Sequence, residues 1–231
     1  VVDGLPPVSS YLLSTTPYRE GSDLYLGRGA QIAFAAQDVD SPVAGIYVSL
    51  DGGLKFLYTN AIKLAEGIRT LRYFAVDGLS NAEVGQVLEL RVDHTPPMAA
   101  AFVSNASGVL ALSNGVILLG GESLIFTAVD QVAQGVASGV LTVEASLNLG
   151  PWRRSPVFTE GDLAEGSNAV RVRAIDRVQN IGAEASYWVV KDALAPLVQI
   201  LSPVEGDVLG VRTPVFAKIS DGALLQYTLT L

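Results

Sequence analysis

The chain has 231 residues, 49% hydrophobic and 16% charged, which suits one large or two ordinary globular domains and excludes a disordered chain. Its net charge of −8 argues against a nucleic-acid partner, because an acidic surface repels phosphates. The absence of cysteine excludes disulfides and thiolate chemistry, and the single histidine, His94, leaves little room for a histidine-based metal site or a catalytic triad.

In chain order, three segments alternate apolar and polar side chains, which is the period of a β-strand with one buried face. Their core-facing positions are Ile46, Val48 and Leu50, then Leu88, Leu90 and Val92, then Val170, Val172 and Ala174. The intervening side chains, Ile175 among them, are predicted to face solvent. Turn formers such as Asp51-Gly52-Gly53 and Glu160-Gly161-Asp162 separate these segments, and no window has a helical period bounded by caps. The pattern predicts an all-β fold.

Short segments recur along the chain at intervals of about one domain. The sequences VDGLPP, VDHTPP and KDALAP carry Asp3, Asp93 and Asp192, which are 90 and 99 residues apart. The segments 64–81 and 163–180 align without a gap, and FAAQD matches FTAVD. Units of this size, made of short strands and frequent turns, predict tandem immunoglobulin-like β-sandwich modules in an elongated array.

The recurring segments also predict the module boundaries. Residues 1–92 form the first module, beginning with the end of a preceding repeat, and residues 93–191 form the second. Residues 192–231 are the opening strands of a third module and are too short to fold alone as a sandwich. We therefore expect the sequence to be a fragment of a longer repeat protein.

Taken together, FxAxD, a strand ending in LDGG, LxEG, RxxAxDxxxN and a closing VDxTPP resemble the immunoglobulin-like or fibronectin type III-like repeats of large bacterial surface or secreted proteins. The resemblance implies a non-catalytic structural or adhesive region, a stalk or spacer, outside the cell or on its surface. The alternative is a carbohydrate-binding or spacer module of a secreted hydrolase. The LDGG turn has no clean counterpart around residues 144–149, so a turn-specific function is in doubt for the second module.

Acidic and amide side chains recur at matching places near the two module junctions. The candidates are Asp77, Asn81, Glu83 and Asp93 around the first junction and Asp176, Asn180, Glu184 and Asp192 around the second. Calcium binds six to eight oxygens, which such side chains supply together with carbonyls and water. The alternative is that the aspartates only form turns and the prolines stiffen the junction. Calcium is the one cofactor that the sequence leaves open.

Other side chains are compatible with either packing or binding. An aromatic platform for a sugar is one interpretation of Trp152, Trp188, Phe56 and Tyr58, and core or rim packing is the other. We interpret Asp38-Val39-Asp40 as a polar turn and His94 as a solvent-exposed turn residue. No nucleophile elbow, phosphate loop or zinc-protease motif is present, so we expect no enzymatic activity.

The expected partners are neighbouring modules of the same chain. Surface glycans, surface proteins and self-assembly are left open, whereas nucleic acid is not expected. No apolar run approaches the roughly 20 residues that a membrane helix needs, so no membrane span is expected in this fragment.

Overall fold

The computed structural model describes residues 3–118, 120–222 and 228. These residues are built of strands joined by turns, with a single helical turn, the 3₁₀ helix Glu160–Asp162, and the all-β prediction is confirmed. No helix in this part of the chain is long and apolar enough to cross a membrane.

The first nine strands build one sandwich, the first sandwich. They are β1 Val8–Leu13, β2 Tyr18–Glu20, β3 Asp23–Leu26, β4 Gln31–Gln37, β5 Val43–Leu50, β6 Phe56–Leu57, β7 Ile62–Lys63, β8 Gly67–Asp77 and β9 Gln86–Val92. One sheet has the order β1-β4-β7, and the other, of six strands, has the order β2-β3-β9-β8-β5-β6. Strand β3 runs parallel to β9, and the other paired strands of this sandwich run antiparallel.

The core of the first sandwich lies between these two sheets. Ile32 of β4 faces Val48 and Leu71 of the six-stranded sheet within one continuous apolar cluster, and all three are fully buried. Burying a side chain of this size contributes about 1.5–3 kcal/mol. The predicted alternation is confirmed for Ile46, Val48, Leu90 and Val92, while Leu50 and Leu88 are half-buried at the edge of the cluster.

The next nine strands form the second sandwich, which repeats the arrangement of the first except that its second strand pairs with its first strand instead of its third. They are β10 Met98–Asn105, β11 Gly108–Ala111, β12 Val116–Leu118, β13 Ser123–Val129, β14 Val140–Leu147, β15 Arg153–Arg154, β16 Phe158–Thr159, β17 Gly166–Asp176 and β18 Ala185–Lys191. The sheets have the orders β11-β10-β13-β16 and β12-β18-β17-β14-β15, and β12 is parallel to β18 as β3 is to β9.

Strand β17 confirms one part of the predicted alternation and corrects another. Val170, Val172 and Ala174 are fully buried, as expected. Ile175 was expected to face solvent but is only 8% exposed, because the chain after β17 folds back and forms a bridge between Ile175 and Ile181.

Two further strands follow, β19 Leu197–Ser202 and β20 Phe216–Ser220, which pair antiparallel as a two-stranded sheet. Residues 223–227 and 229–231 of the predicted third module lie outside the described residues. The proposed boundaries at 92 and 191 stay predictions.

Backbone contacts divide the described residues into two compact units. The first compact unit comprises residues 1–99, 127–144 and 173–184, so it holds the whole first sandwich, the segment around Asp93 and the chain around Asp130 and Asp176. The second compact unit comprises residues 100–126, 145–172 and 185–231.

Candidate functional site

Among the described residues, aspartates gather in two clusters of three, both within the first compact unit. One carboxylate oxygen of each member lies within 4.8 Å of those of the other two. The members are Asp3, Asp38 and Asp77 in the first cluster, and Asp93, Asp130 and Asp176 in the second cluster. In each cluster the first aspartate precedes a sandwich, the second follows β4 or β13, and the third ends β8 or β17. The clusters therefore occupy equivalent places in the two sandwiches.

The grouping expected from the sequence differs from the one observed. Asp93 was assigned to the same junction as Asp77, but the structure places it with Asp130 and Asp176. The reason is chain direction: the linker aspartate follows the last strand of one sandwich and leads into the next sandwich, where it meets the ends of β13 and β17. Asp192 belongs to neither cluster.

In the second cluster, Asp93 is completely buried and fixed at three points. Its carboxylate accepts the N–H of Thr95 at 3.0 Å on one oxygen and the N–H of Ser138 at 2.7 Å on the other. Its carbonyl oxygen accepts the side-chain N–H of Asn180 at 2.9 Å. Hydrogen bonds to charged acceptors are the stronger kind, so the linker is tied to the loops of the second sandwich.

The two other members of the second cluster differ in how fully their carboxylates are hydrogen-bonded. Asp176 accepts three hydrogen bonds, among them one from the Asn180 amide at 2.7 Å. Asp130 accepts the N–H of Gly139 on Oδ2 at 2.7 Å, while its Oδ1 is buried without a donor. Burial raises the pKa of both Asp130 and Asp176, and the nearby charge of Asp93 raises it further. The cluster thus carries more negative charge than its donors neutralise.

The buried hydroxyl of Ser138, beside the second cluster, also lacks a hydrogen-bond partner. Ser138 is only 3% exposed, its N–H binds Asp93, and its Oγ has no hydrogen-bond partner. A buried polar atom without a partner costs about 1–3 kcal/mol, so such atoms call for an explanation such as a bound ion or water.

The first cluster has the same arrangement as the second, but its third member, Asp77, is more fully hydrogen-bonded than Asp176. Asp77, 2% exposed, accepts the hydroxyl of Ser41 at 2.9 Å and the side-chain N–H of Asn81 at 2.7 Å on Oδ2. Burial acts to raise the pKa of Asp77, but these and further hydrogen bonds outweigh it and lower the pKa. Asp3 and Asp38 each keep one buried oxygen, Oδ2, without a donor.

The remaining sequence candidates have other roles or positions. Asn81 and Asn180 are donors that fix the carboxylates, since their amide N–H groups bind Asp77 and Asp176. Glu83 lies outside the clusters, where it accepts hydrogen bonds from Ser9 and from the N–H of Ala75. Glu184 is exposed, and the Asp192 carboxylate accepts the N–H of Leu194 at 3.3 Å.

Sequence reasoning missed Asp38 and Asp130 as cluster members. The expected polar turn at Asp38 exists, since its Oδ1 accepts the N–H groups of Asp40 and Ser41. The signal that could have found both aspartates was the match of FAAQD with FTAVD, which placed them at equivalent strand ends.

Direct packing in the first compact unit fixes the segment that follows β9. The N–H of Asp93 donates to the carbonyl of Leu26 at 2.9 Å, and the Arg28 guanidinium donates to the carbonyl of His94 at 2.9 Å. A Cβ at Gly182 would overlap the carbonyl oxygen of Pro97, so only glycine permits this approach. His94 is half-buried rather than solvent-exposed, and burial lowers its pKa.

The aromatic side chains proposed as a platform each have a packing neighbour or an exposed edge position. Tyr58 packs edge-to-face on Phe34 with ring centroids 5.3 Å apart, and the Arg171 guanidinium lies 5.0 Å from the ring centre of Trp152. Phe56 and Trp188 are 44% and 48% exposed. These contacts favour the packing interpretation for Tyr58 and Trp152.

The paired sheets define the chain as an all-β protein built of β-sandwiches. No family model matches it, and no curated protein matches it. Among solved structures it is similar to the fibronectin(III)-like modules of Clostridium thermocellum CbhA, with 15% identity over 79% of this chain and 94% of that chain and a TM-score of 0.41. It is also similar to SGBP-B of the Bacteroides ovatus mixed-linkage glucan utilization locus, solved with a mixed-linkage heptasaccharide, with 11% identity over 91% and 78% of the two chains and a TM-score of 0.27.

Proposed function

We propose that this chain is a non-catalytic structural or adhesive repeat region, a stalk or spacer, of an extracellular or cell-surface protein. The observation that carries the proposal is the fixed segment Asp93–Pro97. A spacer has to hold successive modules in a set orientation, and a linker with hydrogen-bonded backbone and a buried charge does so where a flexible linker does not.

The end of β3 with the residues after it, from the first sandwich, and two loops of the second sandwich fix that segment. Leu26 and Arg28 bind its backbone from one side, and Ser138 and Asn180 bind Asp93 from the other. Gly27 lies against Val178 so closely that a Cβ there would overlap the Val178 carbonyl oxygen. Freeing the segment Asp93–Pro97, which we call the joint, would therefore expose the buried Asp93 carboxylate and break several hydrogen bonds together.

We further propose that each cluster binds a calcium ion, which completes the joint. Three carboxylates within 4.8 Å repel one another, and the donor-free oxygens of Asp3, Asp38 and Asp130 are positioned to accept a cation. Water and neighbouring carbonyl or hydroxyl oxygens, such as the Ser138 Oγ, would complete the usual six to eight ligands. Extracellular calcium sites of this kind typically have dissociation constants of about 10⁻⁴–10⁻³ M.

Hydrogen exchange of the linker peptide tests the spacer proposal. In a fixed joint the amide of Asp93, bonded to Leu26, and that of Thr95, bonded to the Asp93 carboxylate, exchange as slowly as strand amides. Exchange of these amides at the rate of an exposed loop amide, such as that of Leu54, which is 94% exposed, would contradict the proposal.

Thermal melting with calcium tests the cation proposal. A ligand at ten times its dissociation constant stabilises by about 1.4 kcal/mol, which is a rise of roughly 3–6 °C for a chain of this size. Because two clusters are present, the variant that should abolish the rise is Asp38→Asn combined with Asp130→Asn. Without calcium this variant should be at least as stable as the wild type, since it relieves repulsion between buried carboxylates.

The matched control is Asp40→Asn, which removes an exposed carboxylate beside Asp38 that belongs to neither cluster. It should keep the full calcium response. Magnesium serves as a second control, because its preference for a small octahedral site with several waters should give a smaller rise. Identical melting of the wild type in calcium and in EDTA would overturn the cation proposal and leave the aspartates as turn formers.

A further inference from the structure

A depression of about 270 Å³ opens on the outer face of the six-stranded sheet of the first sandwich. Tyr47 of β5 and Phe74 of β8 lie directly opposite each other in the strand pairing. Their rings are stacked, with centroids 5.5 Å apart and planes inclined by 22°. The neighbouring residues Val48 and Tyr73 point to the core, so the two stacked rings lie on the solvent side of the sheet and are called the aromatic floor below.

The fold itself does not require this aromatic pair. The turn bonds from Gly53 to Leu50 and from Gly150 to Leu147 show that Tyr47 corresponds to Glu144, three residues before the end of the strand. The matching segments 64–81 and 163–180 make Phe74 the counterpart of Arg173. In the second sandwich these positions hold an ion pair at 2.8 Å. An ion pair occupies the same strand positions there, so an aromatic pair at these positions is not required by the strand pairing.

The Lys55 ammonium lies over the aromatic floor, and further basic and hydrogen-bonding side chains lie beside it. Lys55 Nζ lies 5.7 and 5.5 Å from the two ring centroids, and the Arg72 side chain borders the same depression. Within the described residues neither cation forms an ion pair with a carboxylate, although the chain as a whole is acidic. Ser49 and Gln86 add a hydroxyl and an amide to the lining.

We propose that this depression binds an acidic polysaccharide, one that contains uronate sugars. The aromatic floor offers apolar ring surface to the C–H face of a pyranose ring. Lys55 and Arg72 supply positive charge for the carboxylates, and the planar Arg guanidinium matches carboxylate geometry. The polar lining residues can bond sugar hydroxyls. This function goes beyond the spacer role and is independent of it.

The test is calorimetric titration of the chain with polygalacturonate and with alginate, beside the neutral polymers dextran and mixed-linkage β-glucan. The key variant is Tyr47→Glu with Phe74→Arg, which copies the pair that the second sandwich carries and so should preserve the fold. We expect it to weaken uronate binding about tenfold or more, as loss of a central aromatic contact does. Lys55→Gln with Arg72→Gln should weaken it roughly three- to tenfold and flatten its salt dependence.

Trp188→Ala is the matched control, because it removes an exposed aromatic side chain from the second sandwich. It should leave the affinity unchanged. Binding to neither uronate polymer, equal or tighter binding to a neutral one, or unchanged binding in both double variants would overturn the proposal. None of these results affects the hydrogen-exchange test of the linker.

Discussion

Asn180 is the residue whose loss should damage the joint most selectively. The side chain is only 8% exposed and donates two hydrogen bonds, one to the Asp176 carboxylate at 2.7 Å and one to the Asp93 carbonyl at 2.9 Å. A bond to a charged acceptor contributes about 1.5–3 kcal/mol and a neutral one about 0.5–1.5 kcal/mol. Asn180→Ala should therefore lower the free energy of unfolding by about 2–4 kcal/mol.

The assay is urea denaturation in EDTA, followed by hydrogen exchange of the Asp93 and Ser138 amides. Asn81→Ala, at the equivalent place in the first cluster, should cost less, because its bond to the Asp3 carbonyl is longer, at 3.3 Å, and Asn81 is more exposed. Asn60→Ala is the control, since Asn60 is exposed and makes only a 3.4 Å contact with Thr59. A cost for Asn180→Ala no larger than that of Asn60→Ala would refute the reasoning.

Three further predictions follow from the second cluster and its surroundings. Because the pKa values of Asp130 and Asp176 are raised, the folded state retains protons that the unfolded state has released. Without calcium, the stability of the wild type relative to Asp130→Asn should therefore fall as pH rises from the ordinary carboxyl pKa of about 3.9 through the raised values. Calcium should reverse that fall, and denaturant melts over this pH range would show both effects. Gly182→Ala should destabilise the chain by about 1–3 kcal/mol in the same melts, since its Cβ would overlap the Pro97 carbonyl, whereas Gly85→Ala, with nothing within 4 Å, should be tolerated. Ser138→Ala removes a hydroxyl that has no partner, so it should not lower stability in EDTA but should weaken calcium binding measured by titration calorimetry.

Much of the fold could be predicted from the sequence because its long strands bury one face and expose the other. The period of two located β5, β9 and β17, whose inward positions Val48, Leu90 and Val172 are fully buried. The error at Ile175 has a tertiary cause, since the bridge to Ile181 covers a position that local periodicity assigns to solvent. Two-residue strands such as β6 and β7 are too short to show any period.

The clusters could be predicted only in part, because their members come from three distant segments. The sequence identified Asp77, Asp93 and Asp176 from their recurrence, but the partner of each linker aspartate depends on which sandwich the chain enters next. The close approach of Gly27 to Val178 and the bond of Arg28 to the His94 carbonyl depend on packing, and no local pattern signals them.

The most direct test of a fixed joint is a distance distribution between spin labels at Val87→Cys and Leu141→Cys. The chain has no native cysteine, and both positions are exposed strand residues of the first compact unit. We predict one narrow distribution in calcium, broadened when Asn180→Ala and Asp93→Ala are added. A broad distribution in the calcium-loaded chain, or one that these substitutions leave unchanged, would contradict a joint fixed by Asp93 and its partners.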